Sequence, residues 1–143
     1  MEIFVKLSFI VIVFLIFLLP FGSAIVRRRN VRKFQDTNIR DFLRIYCKVY
    51  NDNVDEVTRE RENVAHILGV PLNKLLPDIT FKSLSDKIGF VGEFETGMGQ
   101  LEDELIESSE KADIPFPDTF PSTIADYIHC VIEVKHKGKR NHS

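Results

Sequence analysis

Six side chains in this 143-residue sequence are of the kinds that nucleophilic or metal chemistry needs: Cys47, Cys130, His66, His129, His136 and His142. No two histidines stand three or four residues apart, the spacing that puts two ligands on one helix face, and no cysteine cluster accompanies them. Cys47 and Cys130 fall on or beside apolar helical stripes. In a reducing compartment both are expected to be small buried side chains, whereas in an oxidising one they would be candidates for a disulfide. Glu102 and Glu107 supply two carboxylates, but in an acidic segment such a pair reads as a solvated helix face rather than an acid–base couple. Gly89, Gly92, Gly97 and Gly99 precede a helix, as a phosphate-cradling loop would. No Lys-Ser or Lys-Thr follows them, and Asp86, Glu93, Glu95, Glu102 and Asp103 would repel a nucleotide; a loop and helix cap is the simpler reading. The sequence therefore offers no catalytic residue and no metal site, and the chain is not expected to be an enzyme. A membrane-bound hydrolase has no motif behind it.

The elements that would position such residues are helical. Ile39, Phe42, Leu43, Tyr46, Cys47 and Tyr50 recur at helical spacing behind an N-cap at Asp36 or Thr37. A second helix is predicted over 54–68, with Val57, Val64, Ala65 and Leu68 inward, Arg61 interrupting the stripe, and Gly69 and Pro71 ending it. Residues 69–97 read as a long ordered connection with a short helical turn over 81–88. A third helix is predicted from near Gly97, with Met98, Leu101, Leu105 and Ile106 on the core. The prolines of 114–121 exclude regular helix there. The last helix is expected to open at Ser122 or Thr123, with Thr123 and Asp126 as a capping box. Its buried stripe is Ile124, Tyr127, Ile128, Val131 and Ile132, and a short strand over 131–134 is the one β signal. With 44% hydrophobic and 28% charged residues, the composition excludes a disordered chain.

Charge divides the chain into three parts: 1–33, 34–134 and 135–143. Residues 34–134 hold 20 acidic against 9 basic residues, a net charge of −11. Such a body suits basic protein partners and repels nucleic acid. The four basic residues Lys135, Lys137, Lys139 and Arg140 make a basic tail. Leu7 to Val26 is apolar over 20 residues, enough for a transmembrane helix of about 30 Å. Gly22-Ser23-Ala24 would suit signal-peptide cleavage, but the positive charge (Arg27, Arg28, Arg29, Arg32 and Lys33) follows the apolar stretch. That order favours a retained single-pass anchor with the soluble domain cytoplasmic.

Three strings in order resemble the acyl carrier protein family. Val64-Ala65-His66-Ile67-Leu68-Gly69-Val70-Pro71, with Leu76-Pro77-Asp78-Ile79-Thr80-Phe81 and Leu84, is similar to the end of the family's first helix and the following loop. Leu101-Glu102-Asp103-Glu104-Leu105 with Asp113-Ile114-Pro115 is similar to its acidic second helix, and Thr123-Ile124-Ala125-Asp126-Tyr127-Ile128 to the opening of its last. The resemblance implies an all-α, four-helix acyl-carrier-like bundle, here preceded by the transmembrane helix. It also implies a phosphopantetheine on a Ser or Thr near a helix start: Thr96, by counting back from Ile114, or Ser85. Where the family has Asp-Ser-Leu, this chain reads Glu95-Thr96-Gly97. The acidic positions Glu102, Asp103, Glu107 and Glu110 would dock basic partner enzymes. Two functions stay open, a membrane-anchored carrier domain and a membrane adaptor that keeps the fold without a prosthetic group.

Overall fold

The computed structural model describes residues 29–88 and 92–141. Residues 29–31 are helical, and five α-helices follow: α1 (Ile39–Tyr46), α2 (Val54–Leu68), α3 (Phe81–Ile88), α4 (Gly92–Lys111) and α5 (Ile124–Asn141). A 3-10 helix spans Leu72–Lys74. The expected four-helix bundle is thus corrected to one of six named helical elements. The extra elements come from the 69–97 connection, where Phe81, Leu84 and Ile88 are all buried and so give α3 a full apolar stripe.

The membrane arrangement is corrected as well. Among the described residues no helix is long and apolar enough to cross a membrane. The longest, α4, has the length at 20 residues but carries eight charged ones, each costly in hydrocarbon. The apolar segment 7–26 lies outside the described residues. A membrane-anchored carrier or adaptor, a membrane partner and a single-pass location therefore find no support in the structure.

Caps fix the helix ends. Asn38, not Asp36 or Thr37, caps α1, its Oδ1 accepting from the Asp41 amide at 2.9 Å. Asn53 caps α2, and Gly69 ends it in the left-handed region at φ 60°, with the Val70 amide reaching back to the Ala65 carbonyl at 2.9 Å. The Thr123–Asp126 box forms in both directions, at 3.1 and 3.2 Å. α5 continues unbroken to Asn141, so 131–134 is helix rather than strand.

The helix α4 packs antiparallel to α2. Gly97 lies against the backbone of Ile67 and Leu68, and Asn63 donates to Glu104 at 3.1 Å. Instead of opening α4, Gly97 sits inside it, where a Cβ would come within 2.6 Å of the Ile67 carbonyl oxygen. α5 runs parallel to α4: Tyr127 donates to the Leu101 carbonyl at 3.1 Å, and Gly138 meets Ala112 eleven residues on. Parallel neighbours need a return connection, here about 16 Å along the α4 axis. The proline-bearing segment 112–123 supplies it as a non-helical strap. Phe120 closes the strap over Phe81 and Tyr127, with ring centroids 5.5 and 5.7 Å away.

Candidate functional site

Where the α4 and α5 C-terminal halves meet the first two turns of α2, the three helices leave a groove of about 950 Å³. Its floor is Ala112, Ile132 and Val134, all part of the core. Gly138 permits the close approach at one side, since a Cβ there would meet that of Ala112 at 3.1 Å. Ser108 stands on the α4 wall.

Charged side chains make the rim. Lys135 binds Glu60 at 2.6 Å, joining α5 to α2 over a carboxylate that is only 8% exposed. His136 Nε2 faces Glu56 at 2.9 Å. Lys111 pairs with Glu107 at 2.7 Å, and that hydrogen bond, with the ammonium charge, holds the Glu107 carboxyl below its usual range. Arg59 and Lys139 complete the rim. Volume, apolar floor and a few polar groups are the ordinary make-up of a small-molecule site.

A second cluster lies at the start of α5. Asp52 Oδ2 accepts from the Tyr46 hydroxyl at 2.5 Å and faces His129 Nδ1 at 2.7 Å. Asp126 accepts from Tyr50 at 2.6 Å and Ser122 at 3.1 Å, and the Tyr50 ring stacks on His129 at 4.1 Å. Burial alone would raise the Asp126 carboxyl, but its bonds from Tyr50, Thr123 and Ser122 outweigh it and hold the group low. The three hydroxyls donate to carboxylates rather than to an imidazole, so this is a tie between the α1–α2 loop and α5, not a nucleophile–base pair.

The residues singled out from sequence are scattered. Thr96 is exposed in the second turn of α4, and Ser85 half-buried in the middle of α3, so neither stands at a helix start. Glu102, Asp103, Glu107 and Glu110 are exposed along α4. Cys47 is exposed just after α1 and Cys130 half-buried, with burial raising the Cys130 thiol; both are free thiols. Cys47 misses the expected burial because α1 ends at Tyr46. Among the described residues no group of three or more His, Cys, Asp or Glu side chains could hold a metal ion.

The groove was missed because Lys135, Gly138 and Lys139, which complete its α5 wall, fall in the stretch set apart as a tail. The signal was present: Ile128, Ile132, Lys135 and Lys139 recur at i, i+4, i+7 and i+11, so the buried stripe of α5 runs on into lysines. No protein-family model, no curated protein and no solved structure matches the chain.

Proposed function

We propose that this domain works by binding rather than catalysis, taking a small, elongated apolar molecule into the groove between α2, α4 and α5. The observation that carries this reading is the groove itself: about 950 Å³ over Ala112, Ile132 and Val134, bounded by the aliphatic stems of lysine and arginine. The test is binding of a homologous series of straight-chain alcohols to the full chain, followed by NMR at the Gly138 and Ile132 signals. Each added methylene buried should contribute about 0.8 kcal/mol, roughly fourfold in affinity, until the groove is full. Ser108→Phe, which adds a ring at a partly exposed wall position, should weaken binding without unfolding the domain. Affinity independent of chain length, or no response at Gly138 and Ile132, would refute the reading.

A further inference from the structure

We infer that the ligand of this groove carries an anionic head, an alkyl carboxylate or phosphate, received between Arg59 and Lys139; the inference rests on the groove being a binding site. Four cations line the groove against two carboxylates, Glu56 and Glu60: Arg59 and Lys111 from the acidic stretch 34–134, and Lys135 and Lys139 from the basic residues that follow it. Both carboxylates already have partners, Lys135 on Glu60 and His136 on Glu56. Lys111 is bridged to Glu107.

The simplest competing account is that lysines gather where α4 and α5 end because cations suit the negative end of a helix. It covers Lys111 and Lys139. It does not cover Arg59, an exposed side chain in the second turn of α2, far from that helix's C-terminus. Among the described residues Arg59 makes no ion pair, although the carboxylates of Asp55, Glu56 and Glu62 lie at helical-neighbour spacing. An arginine that lines the groove from α2 without a carboxylate partner, with Lys139 lining it from α5 over an apolar floor, is the complement of an amphiphile's anionic end.

The experiment compares four twelve-carbon ligands on the full chain below their aggregation concentrations: dodecanoate, dodecyl phosphate, dodecanol and dodecyltrimethylammonium. Calorimetry gives affinity, and the Gly138 and Ile132 NMR signals locate the site. The two anions should bind about tenfold tighter than dodecanol, and the advantage should shrink with added salt. The Arg59→Gln, Lys139→Gln double variant should bring dodecanoate to the level of dodecanol and leave dodecanol unchanged. Whichever anion binds tighter identifies the head. Equal binding of anion, alcohol and cation at Gly138 would overturn the inference while sparing the groove as a site. A preference for the cation would overturn it too. If no ligand moves the Gly138 and Ile132 signals, the inference and the proposed function fall together.

Discussion

Arg61 is the side chain whose surroundings depart furthest from its chemistry. It is 2% exposed and has no carboxylate partner among the described residues. Its Nη2 donates to the carbonyls of Leu72 at 2.7 Å, Leu75 at 3.4 Å and Thr37 at 3.5 Å, and its guanidinium lies 4.5 Å over the Phe42 ring. Burial lowers its pKa, offset in part by the Glu62 charge. In the sequence this arginine breaks the α2 stripe; in the fold it is the peg that holds the 3-10 helix and the start of α1 against α2. Arg61→Ala should cost about 2–4 kcal/mol in urea unfolding, because it takes a shared donor from three carbonyls, only that of Leu72 keeping the Leu75 amide, and opens a cavity. Arg61→Lys should recover little of that, since an ammonium cannot reproduce the planar fork or the ring contact.

The three tyrosines give a pH signature at the same scale. Burial raises Tyr46 and Tyr127, and the hydrogen bond to Asp126 leads in pushing Tyr50 up to about 12. Unfolded tyrosine releases its proton near pH ~10. The folded state therefore holds protons that the unfolded state gives up, and stability present below about pH 10 is lost as pH rises toward the folded values. Tyrosinate absorbance should stay absent just above pH ~10 and then appear in a single step with the loss of helical circular dichroism. A gradual rise in a still helical protein would contradict this account of the Tyr46–Asp52 and Tyr50–Asp126 bonds.

Among the elements, α4 offers a paired test on two glycines two residues apart, on nearly opposite faces of the helix. A Cβ at Gly97 would press on the Ile67 carbonyl, whereas one at Gly99 meets nothing within 4 Å. Replacing glycine by alanine in an exposed helix position is worth about 0.5–1 kcal/mol. Gly99→Ala should therefore raise stability by that amount. Gly97→Ala should lower it by about 1–3 kcal/mol, since backbone on both sides leaves no side chain to yield. Thermal unfolding of the two variants decides whether α2 and α4 approach as closely as described. The elements also show what the sequence carries. Stripes such as Val57, Val64, Ala65 and Leu68, the Thr123–Asp126 box and the proline-barred strap were legible because each is written in a few neighbouring residues. Gly97 was misread as a helix start because a glycine needed for helix contact looks the same as one needed for a turn. The groove as a whole was not legible, because only its α5 wall is written in neighbouring residues and the other walls come from as far away as residue 56.

For the whole molecule, the ending of α5 matters most. A boundary at residue 134 follows the charge, but α5 crosses it, carrying Lys135 to Glu60, His136 to Glu56 and Gly138 to Ala112. A chain stopped after Val134 should lose the groove and about 1–3 kcal/mol of stability, largely from leaving the buried Glu60 carboxylate without its ammonium. A dangling tail would cost nothing when removed, and denaturant midpoints of the two chains separate the cases.

The parallel course of α4 and α5 also gives the domain two distinct poles. At one, Asn30 donates to the Ile88 carbonyl, a few residues before α4 begins; at the other, some 30 Å along α4, Gly138 rests on Ala112 beside the groove. A bead, dye or fusion partner joined on the residue-29 side would thus hold the domain by its far end with the groove pointing away. The same attachment at the end of α5 would crowd the mouth of the groove, so the two geometries of immobilisation should differ in ligand capture though the protein is identical.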